Sequence, residues 1–339
     1  GDDPRILGLA GLDARAHEAL AERGAAALRE GKVAALILNG GLATRFGRVV
    51  KGVVPVLDER PELSFLAVRL GQLRRLTEAL DRAIPVVVMH SFATRGESEA
   101  HLEAIAWGGI AAPERLTFTQ SILPRLRVDG MPLIAAPGAE GLADVDLFAA
   151  PGHGDTLRRA AETGLCADLR ARGVEHVLVA NVDNLGATLD PRILGLHLGA
   201  VDAGAQVSVE VVRREDGDVG GCIAEVEGKA VIVEGIRLPE GDDPGRYPHF
   251  NTNTLWLTLD ALASRPPLDF FPVHRQVVTP SGEAIEVVQF EQLIGQITEH
   301  VPARYLEVPR EDRFLPIKTR EDLLAARARM EALVAELAG

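Results

Sequence analysis

Asn39-Gly40-Gly41 is a glycine turn with Arg45, Arg48 and Lys51 close behind it, a pattern that suits a polyphosphate. Glycines fold the backbone tightly and present several N–H groups toward one point with no side chain in the way. The cations bring charge to the same neighbourhood. A tight strand-to-helix turn with ordinary surface charges has the same look. Arginine supplies every basic position except Lys32, Lys51, Lys229 and Lys318. A lysine is a compact point charge that suits a phosphate oxygen, where arginine is a planar fork. That scarcity singles out Lys51 and Lys318. Lys318 closes the segment 312–318 and joins the glycine turn only if the fold returns it there.

Asp183 lies just past an apolar run and is the candidate metal ligand. Mg²⁺ takes one or two carboxylates and completes its shell with phosphates and water. A turn aspartate accepting backbone hydrogen bonds fits the same spacing. His153 sits between two glycines, open enough to donate to a phosphate or a bound nucleotide, or else to serve structure alone. Gln120 carries a donor and an acceptor on one amide and can read a nucleobase edge; without such context it is a surface glutamine. Asn251 and Asn253 alternate by two, so a strand places both on one face. Amides there suit sugar hydroxyls, and edge-strand satisfaction is the plainer account.

The elements that must position these residues follow from apolar patterning. Leu12 to Arg29 reads as an amphipathic helix, and Val33 to Leu38 as a buried strand leading into the glycine turn. Ser64 caps a helix through Leu80, and Val86 to Met89 is a second buried strand with His90, Ser91 and Phe92 beyond it. A helix over 94–106, a short strand over 116–120 and a helix from Asp155 (as N-cap) to Arg172 come next. His176 to Ala180 is a third buried strand, ending in Asn181-Val182-Asp183. From Gln206 the pattern turns to β: strands over 206–212, 222–226, 230–234 and 250–259, with Glu227-Gly228-Lys229 as a hairpin turn. A strand over 285–288, a helix over 289–298 and a last helix over 320–337 complete the reading. Strand–helix alternation implies a mainly parallel sheet covered on both faces, whose ligand crevice lies beyond the carboxyl ends of the strands. Residues 39–51, 90–92 and 181–186 fall on that rim. The expected layout is an N-terminal helical extension over 1–30, a catalytic domain over 31–318 and a short C-terminal helix over 319–339.

Composition narrows the function classes. Apolar content of 47% with 25% charged residues is ordinary for a globular chain of 339 residues. A net charge of −13 argues against a general nucleic-acid binder and leaves room for one local phosphate pocket. Cys166 and Cys222 form neither a metal cluster nor a disulfide framework, which points to a reducing, cytoplasmic setting. No signal-peptide pattern and no apolar run of membrane-spanning length is visible.

Six stretches together resemble the UTP–glucose-1-phosphate uridylyltransferase (UDP-glucose pyrophosphorylase) family. They are Leu-Asn-Gly-Gly-Leu-Ala-Thr-Arg-Phe-Gly over 38–47, Met-His-Ser-Phe over 89–92, Pro-Gly-His-Gly-Asp over 151–155, Asn-Val-Asp-Asn-Leu-Gly-Ala over 181–187, Phe-Asn-Thr-Asn over 250–253 and Arg-Phe-Leu-Pro-Ile-Lys over 313–318. The resemblance implies an α/β, GT-A-like fold with a mixed, mainly parallel sheet, helices on both faces and a β-rich sugar-side half. It implies Mg²⁺-assisted conversion of UTP and glucose 1-phosphate to UDP-glucose and pyrophosphate. Carried over residue by residue, Asn39, Gly40, Gly41, Met89, Gln120, Gly152 and His153 would meet the nucleotide. Lys51, Lys318 and Arg45 would serve the chemistry, Asp183 the metal, and Asn181, Glu234, Asn251, Asn253 and Phe314 the sugar. Departures from the family pattern are Ala43 for glycine, Val49-Val50 for Gly-Pro, His90 for asparagine, Thr254 for a second asparagine and Phe290-Glu291-Gln292 for Leu-Glu-Thr. Another sugar 1-phosphate, of galactose or N-acetylglucosamine, and a non-catalytic regulatory relative are the alternatives. A Rossmann dehydrogenase would need G-x-G-x-x-G, which Asn39-Gly40-Gly41-Leu42-Ala43 does not supply. Family members with a C-terminal β-helix use it for oligomer contacts; no such repeat follows residue 318, so a monomer is expected.

Overall fold

The computed structural model describes residues 3–43, 49–218, 220–239, 241 and 243–338. Its apolar runs form β1 (Ile6–Gly8), β2 (Val33–Asn39), β3 (Val86–His90), β4 (Arg115–Thr119), β5 (His176–Asn181), β6 (Val207–Arg213), β7 (His249–Thr258) and β8 (Ala303–Glu307). They lie side by side in the order β1-β8-β6-β7-β5-β2-β3-β4. Neighbours pair in parallel except where β7 runs against β6 and β5. β2 and β3 are buried along their whole length, which is why they read as unbroken apolar runs rather than as alternations.

Helices cover both faces. We label α1 (Ala14–Arg29), α2 (Phe65–Leu80), α3 (Asp155–Glu162), α4 (Pro191–Asp202) and α5 (Arg327–Ala338). Ala35, Ile37, Val86 and Val88 pack toward α2, while Ala34, Leu36, Val87 and Met89 pack toward α3. Ser64 caps α2 as expected, accepting from Ala67 N at 3.0 Å. Residues 3–30 are built into this body. β1 adds a parallel strand to β8, and α1 lies directly on α4. A Cβ on Gly24 would come 1.9 Å from Pro191 O, so only glycine permits that approach. At the other end Met330 and Leu333 of α5 enter the same core as α2. No helix among the described residues is long and apolar enough to cross a membrane.

Several local expectations need correction. Gly154, not Asp155, caps α3; the buried Asp155 carboxylate instead accepts from Ser121 N at 2.7 Å and pairs with Arg158 at 2.7 Å. The helix to Arg172 is broken at Gly164 (φ +82°) and resumes as Leu165–Ala171. Residues 289–291 do not start a helix. They continue a strand, Ala284–Glu291, paired antiparallel with Phe271–Val278; only Ile297–His300 is α-helical in that stretch. The last helix is likewise two, Arg320–Ala325 and α5. The expected hairpin is present, with Cys222–Val226 paired to Lys229–Val233 and both turn residues, Glu227 (φ +51°) and Gly228 (φ +78°), in the left-handed region that such turns require. β7 carries a bulge: Glu210 faces Thr254 and Val211 faces Asn251, which leaves Thr252 and Asn253 extra. Asn253 has φ +56°, so simple period-two alternation fails there.

Candidate functional site

The rim at the carboxyl ends of β2, β3, β4 and β5 gathers most of the residues singled out in the sequence. Gln120, 5% exposed, follows β4 and donates its backbone N–H to His90 O at 2.8 Å. Its Nε2 donates to Gly152 O at 2.7 Å. A Cβ on Gly40 would stand 2.2 Å from Gln120 Oε1 and 3.5 Å from Met89 Cε. Gly40, Met89, Gln120 and Gly152 therefore share one corner. Glycine at 40 keeps the backbone close to the amide, and the amide fixes the second glycine turn. That turn is laced to the chain at Gln292: Gly154 N donates to Gln292 O (2.8 Å) and Gln292 N to Pro151 O (2.7 Å).

His153 belongs to this lacing. Its Nδ1 accepts from Ile294 N at 3.0 Å, and burial holds its pKa down to about 4. The ring is neutral at pH 7, with its proton on Nε2, so it offers a hydrogen-bond donor rather than a cation. Asn39 turns inward. Its Nδ2 donates to Ser98 Oγ (2.8 Å) and its backbone carbonyl accepts from Thr94 Oγ1 (2.9 Å), so it anchors the turn from below. A Cβ on Gly41 would meet nothing among the described residues. Arg45 lies outside the described residues.

At the next position along the rim, Lys51 and Asp183 form a half-buried ion pair. The fold also returns the distant segment ending in Lys318. Ile317 N donates to Asp183 O (3.3 Å), Leu315 N to Asn184 Oδ1 (2.9 Å), and Asn184 Nδ2 to Arg313 O (3.2 Å). Lys318 follows immediately with an exposed side chain. A buried pair pins this segment: Arg313 Nη2 lies 2.6 Å from Glu210 Oε1 and its Nε 3.0 Å from Oε2. Trp256 Nε1 donates to the same carboxylate at 2.9 Å. Arg313, Glu210 and Asn184 were not among the sequence candidates. A glutamate inside the apolar run of β6 was the available signal, because a charge there demands a partner.

The amides and the glutamate assigned to the sugar form one connected group. Asn253 Nδ2 donates to Asn181 Oδ1 (3.1 Å), Asn253 N to Asn251 Oδ1 (3.0 Å) and Asn251 Nδ2 to Glu234 Oε1 (3.0 Å). Glu234 is pressed between two glycines; a Cβ on Gly221 would lie 2.6 Å from its Oε2 and one on Gly295 3.0 Å from its Oε1. Desolvation raises its pKa, against the hydrogen bond from Asn251 and the charge of Arg237. Phe314 is not part of this group. It packs on Phe250 with ring centroids 5.5 Å apart and lies beneath Arg310.

The metal question turns on Asp183. Among the described residues no three His, Cys, Asp or Glu side chains gather as a ligand set. A single carboxylate on a rim with room for a ligand fits Mg²⁺, which takes one or two carboxylates and draws its remaining ligands from phosphate and water.

Comparison with known proteins decides the family. The model of the UTP–glucose-1-phosphate uridylyltransferase family matches residues 11–336. The chain belongs to that family. Among curated relatives, the UTP–glucose-1-phosphate uridylyltransferase of Saccharomyces cerevisiae is 32% identical over 308 residues, covering 88% of this chain and 59% of the relative. A probable enzyme of the same name from Schizosaccharomyces pombe is 32% identical, with 88% and 58% covered. The chain thus spans about six-tenths of the length of these uridylyltransferases. A solved UDP-glucose pyrophosphorylase variant from Leishmania major, in complex with UDP-glucose, has a TM-score of 0.74 at 27% identity over 88% of this chain and 66% of that one. A putative UDP-N-acetylglucosamine pyrophosphorylase from Entamoeba histolytica has a TM-score of 0.77 at 18% identity, covering 89% of this chain and 80% of that one, a likeness of fold alone. The sheet described above is accordingly the GT-A-like nucleotidyltransferase architecture expected for the uridylyltransferase family.

Proposed function

We propose that this chain catalyses reversible uridylyl transfer, in which UTP and glucose 1-phosphate give UDP-glucose and pyrophosphate. The observation that carries the reading is the order along one rim: the Gly40–Gln120–Gly152 corner, then the Lys51–Asp183 pair with the segment leading to Lys318 hydrogen-bonded to Asp183 O, then the Asn181–Asn253–Asn251–Glu234 group. That order matches base, phosphates and sugar. The sugar phosphate oxygen attacks the α-phosphorus of UTP in line, a P–O bond forms, and the bond to pyrophosphate breaks. Positioning and charge stabilisation supply most of the acceleration in such a transfer.

In this reading Gln120 pairs with the uracil edge, with Gly40, Gly41, Met89 and Gly152 around it, and Asn39 holds the turn in place. His153 donates Nε2–H to the nucleotide. Lys51 and Lys318 bring positive charge to the phosphates, and Arg45 is assigned with them. The sugar hydroxyls meet Asn181, Asn251, Asn253 and Glu234, with Phe314 shaping the backing of that end. Asp183 would hold Mg²⁺, which would supply neutralisation of phosphate charge, and Lys51, beside the same carboxylate, faces a phosphate oxygen. The protein works as a cytoplasmic monomer with nucleotide and sugar-phosphate partners and neither nucleic acid nor membrane. A mass of about 36 kDa by light scattering, unchanged on dilution, tests the monomer.

Pyrophosphate release from UTP against glucose, galactose and N-acetylglucosamine 1-phosphates tests the whole reading. Glucose 1-phosphate is expected to be preferred. Preference for another sugar moves the specificity, and UTP binding without turnover on any of them replaces the enzyme with a regulatory relative.

A further inference from the structure

Behind the loop that begins at Asp183 lies a cavity of about 540 Å³ between α2, α5 and the sheet, within the range of small-molecule sites. Leu73 and Leu76 of α2, Leu178 of β5, Leu189 of the loop and Leu333 of α5 give it apolar walls. Its polar lining is anomalous. Arg69 is 3% exposed and makes no ion pair among the described residues; its Nη1 donates to Ala187 O at 2.6 Å, and its Nε has no partner. Burial lowers the Arg69 pKa to about 10, with Arg313 pushing the same way and Glu210 and Asp183 opposing. Arg75 Nη1 and Gln72 Oε1 are also buried without partners among the described residues.

A buried guanidinium with an unpaired N–H is costly, and native proteins rarely leave one without a bound water, ion or ligand to answer it. Three arginines, Arg69, Arg75 and Arg329, face two carboxylates, Asp312 and Glu336, so the lining favours one further negative charge. We propose that this cavity is a regulatory site for a carboxylate carried on an apolar chain or ring. The carboxylate answers Arg69, and the apolar body lies along the leucines.

The site has a direct line to the crevice. Arg69 holds Ala187 O, and Gln72 Nε2 holds Leu185 O at 3.0 Å, both in the loop that follows Asp183. A ligand that draws Arg69 toward itself loosens its hold on Ala187, so the loop has different contacts in the occupied and empty states. Linkage then makes the coupling mutual: the carboxylate changes nucleotide affinity by the factor by which nucleotide changes its own.

Calorimetric titration of the full chain with decanoate and with 1-decanol tests this. Decanoate is expected to bind about tenfold or more tightly than the alcohol, because only it pairs with Arg69. Binding should weaken by a similar factor in Arg69→Gln. Should that variant not fold, Leu76→Trp, which fills the cavity from α2, should block decanoate instead. Decanoate should also shift UTP affinity about threefold or more. No binding, equal binding of acid and alcohol, or undiminished binding in the variants overturns the proposal. Decanoate binding with unchanged UTP affinity overturns its regulatory half. Only the UTP arm rests on the proposed function: a chain that binds decanoate but no UTP fails that function and leaves the carboxylate site standing.

Discussion

Lys51 and Asp183, 132 positions apart, form an ion pair where the glycine-turn segment meets the end of β5. The pair is half-buried, so each charge holds the other in place at the crevice. Asp183→Asn keeps the shape and removes the charge. Turnover is expected to fall about 10²-fold or more, with the Mg²⁺ titration midpoint moving about tenfold upward. An unchanged metal titration would place the ligand at another residue.

Lys318→Ala separates chemistry from folding. Its side chain is exposed, so thermal stability should stay within about 0.5 kcal/mol of the parent. Turnover should drop by roughly two orders of magnitude or more, because a charge contact to the transferring phosphate is lost. Activity within a few-fold of the parent removes Lys318 from the machinery.

Gly40→Ala and Gly41→Ala form a matched pair. The first places a methyl 2.2 Å from Gln120 Oε1 and must push that amide off Gly152. The second meets nothing among the described residues. The KM for UTP is expected to rise about tenfold in Gly40→Ala, one lost or displaced amide contact, and to change less in Gly41→Ala. Equal effects would argue that Gln120 is not held by that corner.

His90 makes acid sensitivity readable. It is fully buried, neither ring nitrogen has a hydrogen-bond partner among the described residues, and burial lowers its pKa to about 4. Between that value and the unfolded value of about 6.5, the unfolded chain binds a proton that the folded chain does not. Stability is therefore full above the unfolded value and is lost as pH falls toward the folded one, by up to about 3 kcal/mol for this residue. His153 shares the window, so a single substitution must isolate the effect. His90→Asn, the residue expected from the family resemblance, should flatten the acid limb of urea-denaturation stability between about pH 6.5 and 4.5. Parallel curves for parent and variant would show that His90 does not stay neutral in the fold.

What the chain disclosed about itself follows from which forces are local. β2, β3 and β5 were legible because a strand buried on both faces needs an unbroken apolar run. Because strand ends carry the rim, Gly40, Gln120 and Asp183 were legible with them. β1 and β8 were not, since a three-residue edge strand and the mixed Ala303–Glu307 carry little pattern. The helix expected over 289–298 failed because residues 289–291 take their pattern from cross-strand partners at 271–273. Asn253 escaped its expected geometry through a bulge that depends on the register with β6. The return of Lys318 depends on Arg313 reaching Glu210, 103 positions away, a contact that no local window contains.

The pairing of β1 with β8 sets a timetable for synthesis. Ile6 leaves the ribosome long before its partner Tyr305. At roughly 5–20 residues per second, β1 waits on the order of tens of seconds without a neighbour. This sheet edge cannot close until β8 has emerged, and the return of Ile317 to Asp183, later still in the chain, comes after it.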